Sequence, residues 1–428
     1  MKPRTWVLAL AAVFAVLQLA GVTGRDTPDS KNYVSYALDL RGDSKRESAA
    51  AAIDWTCAGR ASIARRKQSV DPARFHAPDP TARVTDKCRD ELWREVDKRL
   101  RAGQTGGHIA PFANERFMQI FEVRPGYPML LVPFITLFGV TWGVWLASVL
   151  MAVAGGVLAF LVLRTLGAPP VVALTGQALF YVLPCGTTAM RPMTEGLMLA
   201  LTLSALWGCA LAVEGRARAG AALIGGSLVL LFAVKHSQAM FLALCLAGAC
   251  AVTAVRRREL DRPRLLIGSV AVGGALATVV AAWLLHYPSS SDSVQDLLTH
   301  HYNMPDRARP WPEFLHLEAN FWVEWLRRQF WEPLFLTALV AGAWGVVRQR
   351  PAFAGFLFAA AGTGFLTHAA HPNITIWGGR LIVLAWLLPV IGLPLLLERV
   401  MGARAAGAVT EPGLSGRDTR SPDEMTRG

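Results

Sequence analysis

Among the ionisable side chains at the boundaries of the apolar blocks of this 428-residue chain, four groups stand out as able to share one face. Asp26 and Asp29 follow the first block. Arg191 and Glu195 stand at the start of a middle block. Lys235 and His236 break the long apolar stretch 219–255, and His368, His371 and Arg380 bracket the last loop. Carboxylates of this kind can serve as general bases. Arginine suits two-point contact with phosphate, and lysine supplies a point charge. Brought together on one face, these groups would form a site for an anionic ligand. Each also has an ordinary reading. Asp29 can cap a helix, Glu195 can sit in a first turn favoured by the helix dipole, Lys235 can snorkel to an interface, and Arg380 can anchor a helix end beside lipid phosphates.

The elements that would position these groups are membrane spans. The chain is 53% hydrophobic and 17% charged, against roughly 25% charged residues in an ordinary soluble domain. Its apolar residues lie in long blocks with few charges, the pattern of an integral membrane protein. That excludes a disulfide-scaffold secreted protein, a disordered chain and a soluble nucleic-acid binder, so no nucleic-acid partner is expected despite the net charge of +12. The first block, Trp6 to Val22, reads as a span within a 1–22 signal anchor, with a cleavable signal peptide as the rival. The later blocks run near 140–163, 170–186, 195–213, 219–235, 237–255, 265–286, 334–347, 352–370 and 381–397. Short basic connections alternate with longer or less basic ones. Ten spans and the positive-inside rule then place both termini in the cytoplasm of a multi-pass protein of the cell membrane. Residues 23–126 form a long extracytoplasmic loop and 127–286 spans two to seven. A second outer loop with an interfacial helix occupies 287–333, spans eight to ten 334–400, and a disordered cytoplasmic tail 401–428.

The first loop carries helical patterning. Tyr33, Tyr36, Ala37 and Leu40 recur on one helical face, ending at Gly42, with Asp29 as a capping residue. After Thr85, a charged helix bears the stripe Cys88, Leu92, Val96 and Leu100 and closes at Gly103. Cys57 and Cys88 are the two cysteines of this loop. In an oxidising compartment they are expected to pair. No Cys/His spacing suits zinc, so no metal site and no obligatory cofactor is expected, although the spacing does not exclude a divalent cation. The second loop holds Trp311, Phe314, Phe321, Trp322 and Trp325, residues that favour a membrane interface.

In this order the motifs resemble the GT-C superfamily, multi-span glycosyltransferases that include protein O-mannosyltransferases and aminoarabinose transferases. The similarity lies in an acidic residue opening the first loop and the pattern Asp29, Tyr33, Ala37, Leu40, Gly42. It continues in Arg124-Pro125-Gly126-Tyr127-Pro128-Met129-Leu130-Leu131 running to Leu137-Phe138-Gly139, in Met193-Thr194-Glu195, and in Gly379-Arg380-Leu381. The chain departs from the family in having Asp26 and Asp29 three apart, Gly126 for a second proline, and Lys235 where many relatives have arginine. The resemblance implies a GT-C-like bundle of about ten transmembrane helices. It also implies inverting transfer of a sugar from a polyprenyl-phosphate donor to a glycan, lipid or protein acceptor on the extracytoplasmic face. Asp29 or Asp26 would be the catalytic base. Arg380 and Lys235, with His236, would hold the donor phosphate, and Glu195, Arg191, Tyr33 and His371 would complete the site. The apolar spans would cradle the polyprenyl tail among membrane lipids. Two other classes stay open: a lipid or solute transporter or flippase, and a non-catalytic protein of the same fold.

Overall fold

The computed structural model describes residues 2–109, 111, 112, 114–257, 261–376 and 379–409. Every regular element among them is helical. Seven helical stretches are long and apolar enough to cross a membrane: Pro3–Gly21, Gly126–Thr165, Thr194–Val213, Ala217–Arg256, Arg262–Leu284, Pro351–Ala369 and Arg380–Glu398. The pair Pro310–Trp331 and Leu334–Gln349, bent by 86°, makes an eighth if taken as one span. In hydrocarbon a backbone must satisfy its own N–H and C=O groups, which continuous helices do. Large apolar side chains on their outward faces, such as Leu276, Val280 and Trp283, are exposed, as lipid contact requires. The chain is thus an all-α membrane protein.

The helices are α1 (Pro3–Gln18), α2 (Ser30–Arg41), α3 (Lys45–Ser69), α4 (Thr81–Arg101), α5 (Glu115–Glu122), α6 (Gly126–Thr165), α7 (Pro170–Val182), α8 (Pro184–Ala189), α9 (Thr194–Val213), α10 (Ala217–Arg257), α11 (Arg262–Leu284), α12 (Ser290–Leu298), α13 (Pro310–Trp331), α14 (Leu334–Gln349), α15 (Pro351–Ala369) and α16 (Leu387–Val409). A tight helical turn, Arg380–Trp386, leads into α16.

Two of these helices contain a non-helical residue. In α6 it is Gly139, with φ 72° and ψ 172°, a conformation open essentially only to glycine. Gly143 lies directly against the Phe134 carbonyl. The arm 126–138 therefore folds back on the start of the following segment, and Tyr127, Leu131 and Ile135 are buried with Val144, Ala147 and Met151. The sequence pattern begins that block at 140 and leaves this arm unassigned, because an apolar arm and an apolar span look alike in composition. In α10 the break is at Lys235 (φ −165°, ψ 92°). Before it, Gly225 faces Val270, and after it, Cys250 faces Gly268. Both segments thus meet the same stretch of α11, so they run side by side in opposite directions, with Lys235 at the reversal.

Helices α2 to α5 form a compact module on the same end of the bundle as Lys235. Within it α2 is buried from Asn32 to Leu38 between α3 and α6. Leu40, expected on its apolar face, is 36% exposed, because α2 is covered on several sides over its middle and uncovered towards its end. Gly42 ends it at φ 104°. Ser44 and Glu47 form a reciprocal capping box that starts α3. Helix α4 starts at Thr81 rather than after Thr85, since the Asp79 carboxylate accepts from the Thr81 amide at 2.9 Å. Its stripe Cys88, Leu92, Val96 and Leu100 packs on Ala49, Ile53 and Cys57 of α3, and Cys57 and Cys88 are joined by a disulfide.

In the second loop α13 divides its aromatic residues. Phe321, Trp322 and Trp325 pack on Phe335, Phe365 and His368, whereas Val323, Leu326, Phe330 and Trp331 are exposed. Of the residues expected at an interface, Phe314, Phe321, Trp322 and Trp325 thus pack inward and Trp311 is exposed. The expected tail from 401 continues as helix to Val409, and its remainder, 410–428, lies outside the described residues.

The disulfide spans 31 residues, and closing such a loop stabilises by about 3–4 kcal/mol in the chain-entropy model. Cys57→Ala with Cys88→Ala should lower the unfolding midpoint of the α3–α4 pair and speed its proteolysis. Mass spectrometry of the unreduced wild type should find the two cysteine peptides linked.

Candidate functional site

Arg380 opens the turn before α16, and its guanidinium is shared between two carboxylates from distant parts of the chain. Nε donates to Glu195 Oε1 at 3.0 Å, and Nη2 donates to Asp29 Oδ2. Glu195 lies in the first turn of α9 and its side chain is only 3% exposed. The helix dipole favours a carboxylate there, and Thr194 Oγ1 donates to its second oxygen at 3.3 Å. Burial of such a group demands a partner, and Arg380 is that partner.

Asp29 is held by the start of the first loop rather than by a cap. Its side chain makes no capping bond, which corrects the expected role. Thr27 and Ser30 instead bond each other, and Thr27 Oγ1 contacts Met193 Sδ at 3.0 Å. This fastens the entry of α2 beside the entry of α9 and turns Asp29 towards Arg380. Asp26 points elsewhere. Its carboxylate lies over Gly59 of α3, with Oδ1 buried and without a hydrogen-bond partner. Burial raises its pKa above the usual carboxylate value, with the Arg60 charge opposing.

Tyr33 is buried edge-on against Phe121 and Tyr127, and its hydroxyl receives a hydrogen bond from Arg124 Nη1 at 3.4 Å. Burial pushes its phenol above the ordinary value, so it stays a neutral donor. Lys235 feels the charges of Glu195, Arg124, Arg380 and Asp29, yet forms no hydrogen bond or ion pair with any described residue. His236, the next residue, packs on Phe232 and Tyr287, with Nδ1 buried and unpartnered. Arg191 feels both Arg380 and Glu195, and burial lowers its pKa. His371 feels the charges of Asp296, Arg380, Lys235 and Asp29. Burial pulls it down to about 4, leaving a neutral imidazole at neutral pH.

Of the residues singled out by sequence, the structure brings together Asp29, Glu195, Arg380, Lys235, Arg191 and His371, with Tyr33 and His236 at the edge. Asp26 stands apart. So does His368, which stacks on Phe321 with ring centroids 4.7 Å apart. Arg124 belongs to the cluster as well; in the sequence it stands only within a motif, since a lone arginine at a loop end gives no periodic signal. Among the described residues, no group of three or more His, Cys, Asp or Glu is arranged to hold a metal.

The charge balance is informative. Arg124, Arg191, Lys235 and Arg380 face Asp29 and Glu195, an excess of two positive charges. Arg380 has used two of its five N–H donors and Lys235 none of its three. The arrangement therefore has donors left for an anion. Comparison with family models, curated proteins and solved structures yields no match.

Arg380→Ala strips the buried Glu195 of its counter-charge, and removing one partner of such a pair costs about 3 kcal/mol or more. Thermal unfolding in detergent should show a large drop for Arg380→Ala and a smaller one for Arg380→Lys. Adding Glu195→Gln to Arg380→Ala should recover part of the loss.

Proposed function

We propose that this protein is an integral membrane glycosyltransferase of the GT-C type, transferring a sugar from a polyprenyl-phosphate donor to an acceptor on the extracytoplasmic face. The observation that carries this reading is the Arg380 fork between Asp29 and Glu195, beside an unpaired Lys235. It unites the acidic residue opening the first loop, the glutamate of the middle span and the arginine of the last span. In a membrane, charges at this depth are kept for function. Two helix N-termini also converge here, that of α9 and that of the segment beginning after Lys235, and such termini favour anions.

In this reading the break at Lys235 divides α10 into two spans. With α1, the segment 140–165, α7, α9, α11, α14, α15 and α16, it makes ten, with both termini cytoplasmic and the α2–α5 module outside. The donor phosphate sits against Lys235 and the free donors of Arg380, and its polyprenyl tail lies along the exposed apolar helices. Asp29 removes the acceptor's proton as the acceptor oxygen attacks the anomeric carbon, which inverts. The bond from that carbon to the phosphate oxygen breaks, and its electron pair leaves with the polyprenyl phosphate. Such a leaving group needs charge stabilisation rather than a proton, and Lys235 and Arg380 supply it in a poorly hydrated site.

Purified protein in detergent, given polyprenyl-phosphate sugars, should release polyprenyl phosphate. Asp29→Asn should abolish release, because an amide oxygen can still accept from Arg380 but cannot take a proton. Asp26→Asn should be mild, since its carboxylate faces Gly59. Arg380→Lys should reduce kcat or donor affinity about tenfold to a hundredfold, keeping charge but losing the fork. Reporter fusions after Arg218, Arg256 and Arg350 should read cytoplasmic, and one at Asp79 outside. Failure of every polyprenyl-phosphate sugar to yield product would overturn the proposal.

A further inference from the structure

The end of α1 that meets the α2–α5 module carries two arginines with no carboxylate partner. Gly21 closes the first span, and the chain then turns at Gly24, whose φ is 80°. Helix α3 lies against this turn with Gly59, Ile63 and Arg66, spaced four and three apart on one face. A Cβ on Gly59 would touch the Gly24 amide, and one on Gly24 would meet Ile63 and Arg66. Arg66 Nη2 donates to the Thr23 carbonyl at 3.3 Å, and Arg25 Nε donates to the Gly21 carbonyl at 3.0 Å. A Cβ on Gly21 would stand 3.4 Å from Arg25 Nη2 and 3.8 Å from Arg66 Nη1. The two guanidiniums thus converge on one point and are no more than about 7 Å apart, a gap that a single phosphate group bridges with its oxygens.

Each of these bonds has an ordinary use, since carbonyls at a helix end need donors. It takes one of five N–H donors from each arginine and leaves the charge unmet. Other arginines of the module do find carboxylates: Arg46 pairs with Asp97, Arg65 with Asp79 and Arg89 with Asp54. Among the described residues neither Arg25 nor Arg66 forms an ion pair, and their only side-chain hydrogen bonds are the two to carbonyls. Asp26, the neighbouring carboxylate, lies against Gly59 with Oδ1 buried and unpartnered.

The surface below the pair is one that lipid covers. Along α1, Leu8, Val13, Val16, Leu17 and Leu19 are exposed. Trp145 shares a narrow cleft with Arg25 and donates from Nε1 to the Gln18 carbonyl at 3.3 Å, and an indole of this kind suits the membrane–water boundary. Acyl chains lying along α1 therefore bring their headgroup to the two arginines. We infer that Arg25 and Arg66 form a binding site for the phosphate of an anionic phospholipid, whose acyl chains run along the exposed face of α1. The planar guanidiniums suit a phosphodiester. A net negative headgroup is preferred, because Asp26 is turned against Gly59 and cannot meet a headgroup ammonium. The site requires a membrane but not glycosyl transfer, so it stands apart from the function proposed above.

The test is native mass spectrometry of the delipidated full chain, titrated with phosphatidylglycerol and with phosphatidylcholine of the same acyl chains. The wild type should bind phosphatidylglycerol roughly tenfold more tightly. Arg25→Gln and Arg66→Gln should each weaken that binding about fivefold to tenfold, and the double variant should bind both lipids alike. Arg83→Gln removes an exposed arginine of α4 and should change nothing, which separates the site from net charge. Glycerol phosphate in excess should not displace the lipid. Thermal unfolding checks each variant, and a photoreactive phosphatidylglycerol on the wild type needs no variant: it should label peptides 19–25 and 63–69. Equal affinity of the wild type for the two lipids would overturn the site, as would a preference retained in the folded double variant. Displacement by glycerol phosphate would make it a small-anion site instead, and labelling confined to other peptides would remove it from α1.

Discussion

The pairing of Arg380 with Glu195 and Asp29 is the constraint on which the rest of this end of the molecule depends. Glu195 is buried at the head of α9, where an unpaired carboxylate would cost several kcal/mol. Its partner comes from 185 residues further along, and the other arm of the fork reaches back 351 residues. The bond therefore cannot form until the first loop, the middle of the bundle and the last helix are all in place. It closes the structure at the one level where apolar packing cannot do so. Most packing beneath it is between side chains of similar polarity to lipid, which have little preference for each other over hydrocarbon tails, and a few polar contacts such as Gln238 with Thr363 and Thr367 add to it.

Below the site, close backbone approach does the work that burial does in water. A Cβ on Gly392 of α16 would strike the backbone of Gly342 in α14, and one on Gly342 would strike the Leu388 carbonyl in α16. Small residues of this kind let membrane helices pack by contact alone. They also fix α16, and with it the height of Arg380, against α14. A bulkier residue at Gly342 would act at a distance, by lifting the arginine away from its carboxylates. The positioning of the charged cluster is thus a property of the apolar scaffold as well as of the cluster.

Much of this was legible in sequence, and for a physical reason. A charge inside or at the edge of an apolar block has no cheap explanation, so Glu195, Lys235 and Arg380 announce themselves against their background, and Asp29 stands near the end of the first block; the structure gathers all four. The interruption at Lys235-His236 likewise marks the reversal of α10. The α3–α4 contact was readable because a four-residue stripe around Cys88 has the period of a helix face. What stayed hidden lies where composition gives no contrast. The arm 126–138 is apolar whether it crosses or folds back, and only the φ of Gly139 distinguishes the two. In the polar loops an arginine is unremarkable, so Arg124 became visible only through its partners. Asp26 and Asp29 look equivalent in sequence. The Thr27–Ser30 turn between them sends one carboxylate to Gly59 and the other to Arg380.

The unpaired state of Lys235 sets the direction of the functional argument. Glu195 lies close enough for its charge to act on this lysine, yet its oxygens are taken by Arg380 and Thr194. A structural lysine would be expected to claim a carboxylate or to snorkel to water. This one sits at the break of a helix, with its neighbour His236 also lacking a partner for Nδ1. Its ammonium shares the site with the Glu195 and Asp29 carboxylates, which Arg380 already engages, so its own donors stay open to a further counter-charge. Arg380 pairs with both of the site's carboxylates but balances only one of their two charges, and the cations in excess of the carboxylates would give an entering anion its affinity. A group bearing one or two negative charges and a long apolar tail meets both requirements of such a site, since its head neutralises the lysine and its tail remains among the helices.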